Sequence, residues 1–99
     1  MSQVRVLIRH RTDDCDGVQD AYQAVSEEMA VVPGMLGNEL LRGVHDPQVF
    51  VVASRWRDLA AFQEWEAGAS HKDSTSPMRR YRDHSTGRPF EIFQVAAEY

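Results

Sequence analysis

Val49-Phe50-Val51-Val52-Ala53 is an unbroken apolar run, and how it is read decides the fold. It is too short for a helix and rich in β-branched side chains. Such a run is the mark of a strand covered on both faces. The strand continues to Trp56. Beyond it, Asp58 is placed to cap a helix that carries Leu59, Phe62 and Trp65 inward, and Gly68 ends that helix.

Upstream, His45-Asp46-Pro47 forms a turn, and Leu36 to Arg42 reads as the preceding strand. Gly37 within it marks a bulge or a close approach to the backbone. Pro33-Gly34 stops an earlier helix, whose apolar stripe is Val18, Ala21, Tyr22, Val25, Met29 and Val32. Thr12 to Gly17 is polar and turn-like. Before it, Val4, Val6 and Ile8 alternate with Arg5, Leu7 and Arg9, which predicts a first strand. Downstream, Ser70 to Pro89 loses all periodicity and predicts a long connection, with short helical turns around Met78 to Arg82. Phe90 to Glu98 alternates again as a last strand.

The order is strand, helix, strand, strand, helix, strand. It predicts an α+β fold of ferredoxin-like βαββαβ type, with a four-stranded antiparallel sheet and both helices on one face. Residues 1–99 make one domain. The central strand is apolar on both sides, so the face away from the helices also needs a cover. A second copy of the chain, sheet against sheet, supplies one.

Composition narrows the partners. The net charge of −4 argues against nucleic acid, whose phosphates attract basic surfaces. Arg79, Arg80, Arg82 and Arg88 form a local basic stretch diluted by Asp73 and Asp83, which reads first as a solvated, charge-mixed loop and second as a site for an anionic ligand. Cys15 is the single cysteine, so no disulfide forms within the chain. Its neighbours Asp13, Asp14 and Asp16 disfavour a thiolate nucleophile. No apolar signal core or membrane-length run is present, and a cytoplasmic protein is expected. His10, His45, His71 and His84 are scattered without metal-ligand spacing, so no metal is expected. No glycine-rich phosphate loop or dinucleotide fingerprint predicts a cofactor.

Three segments carry a resemblance: Pro33-Gly34-Met35-Leu36-Gly37, Phe50-Val51-Val52-Ala53-Ser54-Arg55-Trp56-Arg57-Asp58, and Phe62-Gln63-Glu64-Trp65. In order and spacing the chain resembles the antibiotic biosynthesis monooxygenase superfamily. That resemblance implies a dimeric α+β barrel. It also implies one of several activities: cofactor-independent oxidation of polycyclic aromatic polyketides to quinones, haem binding and degradation, or a role without an established reaction. Trp56 stands where the family keeps a tryptophan. Val52 and Phe62 stand where quinone-forming members carry asparagine and tyrosine. The first strand lacks the asparagine of the haem degraders, although Phe62-Gln63-Glu64-Trp65 is similar to their helix.

A cofactor-free oxygenase needs an electron-rich phenol, a base for its proton and donors to hold the anion. On this reading the partners are a small aromatic substrate and molecular oxygen. His71 is the expected base, since imidazole titrates near neutral pH. Phe50, Phe62, Trp56 and Trp65 would wall the substrate, Asn38 or Arg55 would steady the anion, and Tyr81 would offer its hydroxyl. Two rivals stay open: a haem protein using His71 or His84 as ligand, and a non-catalytic or cyclase-type dimer that binds a hydrophobic intermediate.

Overall fold

A computed structural model describes residues 2–68, 71–85, 87–88 and 90–99, and of residues 71–74 the backbone alone. The elements are β1 (Val4–Arg11), α1 (Cys15–Met29), β2 (Met35–Arg42), β3 (Val49–Trp56), α2 (Leu59–Ala67), α3 (His71–Arg79) and β4 (Glu91–Gln94). The strands form one sheet in the order β2-β3-β1-β4, with every neighbouring pair antiparallel. This is the ferredoxin-like arrangement, and the Val49–Ala53 run lies between β1 and β2 as its apolar character demands.

Period-two alternation sorts the sheet into two faces. Val4, Val6, His10, Phe50, Ser54 and Trp56 turn inward and are buried. The antiparallel register sets them in rows across the sheet. Asn38, Ser54 and Val6 share one row, Leu40, Val52 and Ile8 the next, and Arg42, Phe50 and His10 the third. Val18, Val25 and Met29 of α1 and Ala61 and Phe62 of α2 close the core from above.

Helices α1 and α2 each begin on an aspartate. Asp14 accepts a hydrogen bond from the Gly17 amide at 3.0 Å, and Asp58 accepts one from the Ala61 amide at 2.8 Å. These bonds satisfy donors that the first helical turn leaves open. They also hold the Asp58 carboxyl below its ordinary range, the Ala61 amide being the largest cause. Asp14 starts α1 at Cys15, three residues ahead of the apolar stripe that marks it in the sequence.

Gly37 sits at the expected irregularity. The β2–β3 register shifts between Met35 and Gly37, and its φ is 154°. A Cβ there would run into the Arg55 guanidinium. Gly34, with φ 84°, makes the turn after α1 and passes close to Ala61.

Two expectations need correction. The stretch from Ser70 to Pro89 is not only a connection, because α3 occupies residues His71–Arg79. Pro77 lies inside that helix, and its polar residues hide any stripe. Thr75 and Met78, one turn apart, supply its buried face. The last strand is Glu91–Gln94 and does not reach Glu98. Its partner β1 begins at Val4, so pairing ends soon after Gln94↔Val4, with a final Val95 amide bond to the Gln3 carbonyl at 2.9 Å.

β4 covers only the first half of β1. The second half is met by residues 81–83. Arg11 donates its amide to the Tyr81 carbonyl at 2.8 Å, Asp83 donates to the Arg9 carbonyl at 3.0 Å, and Arg82 pairs across from His10. This short pairing brings Arg82 beside the buried face of β1.

Candidate active site

A cavity of about 50 Å³, open to solvent at its mouth, lies between the sheet and the three helices. Its floor is Val6, Ile8, Val52 and Ser54, and its roof includes Val25 and Met29 of α1. Phe62 and Trp65 of α2 and Met78 of α3 close its flank. The lining is mainly apolar, with two groups of polar side chains.

The first polar group surrounds Asn38. The hydroxyls of Tyr22 and Ser26 both donate to Asn38 Oδ1, the latter at 3.1 Å, and Tyr22 also reaches the Asn38 carbonyl at 3.2 Å. With its oxygen held this way, the amide N–H2 is the donor end of Asn38. Tyr22 stands on the apolar stripe of α1 in the sequence, where it reads as core. In the fold it is the strut that orients Asn38.

The second polar group is His10 with Arg82. His10 is 1% exposed, and neither ring nitrogen has a hydrogen-bond partner in the protein. Arg82 Nε is likewise buried without one. Burial, and after it the Arg82 guanidinium, lowers the His10 pKa to about 4; the Ile8 backbone, outside hydrogen-bonding geometry, opposes them weakly. Burial also lowers the Arg82 pKa, with Arg79 adding to the effect. Four residues of β1 separate Val6, in the Asn38 row, from His10, which places the polar groups roughly 13 Å apart along the strand.

The residues singled out from the sequence divide as follows. Asn38, Phe62 and Trp65 line the cavity. Trp56 sits behind them, fully buried, with ring centroids 5.4 Å from Phe62 and 5.5 Å from Trp65. Its Nε1 donates to Ser54 Oγ at 3.0 Å. Phe50 is buried in the His10 row beneath Arg42, whose guanidinium stands 5.4 Å from the ring centroid, and is not part of the lining. Arg55 points away, because strand alternation puts it on the face opposite Ser54 and Trp56, where it is exposed. Tyr81 is buried against the start of α1 near Gly17 and under Arg80, outside the cavity. The His71 side chain lies outside the described residues. His84 is exposed and does not line the cavity.

His10 is the residue that sequence reasoning passed over. Its signal was present: Val4, Val6, Ile8 and His10 share one phase, so an imidazole stands in line with the core face. Arg82 had no comparable signal, since only the β1 pairing brings it to the cavity.

Among the described residues, no three His, Cys, Asp or Glu side chains gather as a metal site. No described helix is long and apolar enough to cross a membrane.

Fold and cavity together define a ferredoxin-like α+β domain with a mainly apolar internal site. A family model described as antibiotic biosynthesis monooxygenase matches residues 1–75. The chain belongs to that family. Protein SchA of Streptomyces halstedii is 27% identical over 101 residues, which cover 98% of this chain and 26% of that protein. The 42.8 kDa protein in the whiE locus of Streptomyces coelicolor is 31% identical over 81 residues, covering 78% and 20%. The chain thus spans only about a quarter of these relatives' length or less. Among solved structures, SnoaB, a cofactor-independent oxygenase from Streptomyces nogalater, superposes with a TM-score of 0.75 at 17% identity, over 100% of this chain and 96% of that one. A conserved protein from Methanosarcina mazei gives 0.73 at 13% identity, over 99% and 95%. At such identities the likeness is one of fold.

Proposed function

We propose that the protein is a cofactor-independent monooxygenase that oxidises an aromatic, polyketide-like phenol to a quinone in the cavity over the sheet. The observation that carries this reading is the distribution of polarity in the lining. A mainly apolar middle separates Asn38, with its struts Tyr22 and Ser26, from His10 and Arg82. A flat molecule of several fused rings, with oxygens at both ends, matches that pattern. Phe62 and Trp65 offer ring faces and edges, and Trp56 behind them fixes their positions. Family membership and the oxygenase character of SnoaB support the same class of chemistry.

The reaction needs little beyond a base and anion-stabilising donors. A ring hydroxyl loses its proton, and the electron-rich anion transfers one electron to molecular oxygen. The two radicals combine at a ring carbon, and the resulting peroxide anion takes back the proton held by the base to give a hydroperoxide. Loss of water then leaves the quinone carbonyl, so one oxygen is gained, two hydrogens are lost, and the second oxygen departs as water. In this reading the Asn38 amide N–H2 would hold a ring carbonyl as its charge grows.

The test is oxygen consumption by the metal-free protein with a panel of anthrone-like phenols, followed by product mass. Uptake with a gain of one oxygen and a loss of two hydrogens is expected. Silence across the panel would set the reading aside. In the same assay, His71→Ala decides whether His71 is the base, since full turnover would remove it from that role.

The reading includes a homodimer. Leu7, Val51, Ala53, Leu41 and Phe93 share the sheet face away from the helices, and Leu41 and Phe93 are 45% and 49% exposed. Sheet-to-sheet packing with a second copy would cover them. Sedimentation should give twice the 11.3 kDa chain mass, and Leu41→Arg should shift the protein toward monomer. A wild-type chain that sediments as monomer at micromolar concentration would end this part of the reading.

A further inference from the structure

We propose that His10 and Arg82 form the ionising end of the cavity: His10 accepts the proton of a ring hydroxyl, and Arg82 holds the oxyanion that remains. This rests on the oxygenase reading for its substrate class and adds to it the groups that activate that substrate.

Unmet hydrogen bonds mark this end of the cavity. A buried polar atom without a partner is costly, and folded chains carry few of them. Here three gather on two facing residues: both ring nitrogens of His10 and Nε of Arg82. Both residues line the same cavity. A neutral imidazole has one donor and one lone pair, and Arg82 Nε has one donor. A hydroxyl next to a second oxygen on an aromatic ring answers the imidazole lone pair and the Arg82 donor. Its O–H meets the imidazole lone pair, and its oxygens accept from the guanidinium.

Among the described residues that line the cavity, Arg82 is the charged neighbour of His10. The strand-like segment at 81–83 brings Arg82 across from His10, β3 sets the Phe50 ring beside it in register, and α3 brings Thr75 and Met78 to the same cavity. No described carboxylate lines the cavity, so nothing there neutralises the Arg82 guanidinium from within. A phenol arriving in that field is made more acidic, because its anion is stabilised in a medium where charges interact strongly. Its O–H bond breaks toward His10, a new N–H bond forms on the ring, and the electron pair stays on oxygen beside Arg82. Burial keeps His10 unprotonated before the substrate arrives, so its lone pair is free at neutral pH. The anion then stabilises the imidazolium it has created, which restores the basicity that burial removed.

The test uses alizarin, a hydroxyanthraquinone whose colour reports ionisation and which is already at the quinone level. It is titrated against the wild-type protein, His10→Leu and Arg82→Met over a range of pH without oxygen, while circular dichroism checks the fold of each variant. The wild type should bind the dye in its ionised form at a pH where the free dye is neutral. Arg82→Met should raise the pH of the colour change by one to three units, as loss of a close positive charge does. His10→Leu should leave the dye bound and cut kcat for a phenol that is turned over by a hundredfold or more, the usual worth of a positioned base. Absence of dye binding, or the same colour change in all three proteins, would overturn the proposal. Oxygen uptake is measured separately. A wild type that ionises the dye through these residues but consumes no oxygen would keep the proposal and remove the oxygenase. Full turnover by His10→Leu would remove His10 as base and leave the oxygenase standing.

Discussion

Trp56→Ala is expected to lose about 3–5 kcal/mol of folding stability, the usual cost of removing a large aromatic side chain from a core. Trp56 is fully buried at the end of β3. It packs edge-on against Phe62 and tilted against Trp65, and these rings form one wall of the cavity. A chain of this length has a total stability of roughly 5–15 kcal/mol, so the loss is a large fraction of the whole. Trp56→Phe separates packing from hydrogen bonding. It keeps most of the ring volume but removes the Nε1 donor that meets Ser54 Oγ at 3.0 Å, and it should cost about 1–2 kcal/mol. Urea unfolding of the three proteins checks both values. A loss below 1 kcal/mol for Trp56→Ala would mean that the ring is not packed as described.

Acidification from pH 6.5 to pH 4 is expected to remove about 3 kcal/mol of stability, mostly through His10. The sign follows from its pKa of about 4 in the folded chain, against 6.5 for an ordinary histidine. Above pH 6.5 neither the folded nor the unfolded form is protonated there, and His10 adds no pH dependence. Between the two values the unfolded chain takes up the proton and the folded chain does not, so unfolding gains. Below pH 4 both forms are protonated and the effect levels off. Asp46, Asp58 and Asp83 have folded pKa values lowered from 3.8. What they contribute is lost near and below that pH, outside the His10 window. His10→Leu should flatten the profile between pH 6.5 and 4 and leave the variant more stable than wild type at pH 5. An unchanged slope in the variant would show that His10 does not carry it.

Much of the fold was legible because it depends on local pattern. The Val49–Ala53 run, the alternation of Val4, Val6 and Ile8, and the α1 stripe each announce an element without reference to any other. Pro33-Gly34, Gly37 and Asp58 mark turn, bulge and cap through chemistry that acts within a few residues. α3 was hidden because Thr75 and Met78 are its only described buried contacts in a polar segment that contains Pro77. A helix held by so few contacts takes its stability from tertiary packing and leaves little trace in sequence.

The site divides along the same line. The sequence by itself determined that Asn38, Phe62 and Trp65 were residues to watch, while His10, in phase with Val4, Val6 and Ile8, was passed over. It could not show that Phe50 and Tyr81 are packed outside the cavity, or that Arg55 leaves by the other face. Only the tertiary structure decided that α1 lays Tyr22 and Ser26 on Asn38, and that residues 81–83 close on β1 to set Arg82 beside His10. The physical reason is separation along the chain. Alternation and helical period fix which way a side chain points within its own element. Which distant side chain it meets is set by strand register and helix packing, where the free energy is shared over the whole core.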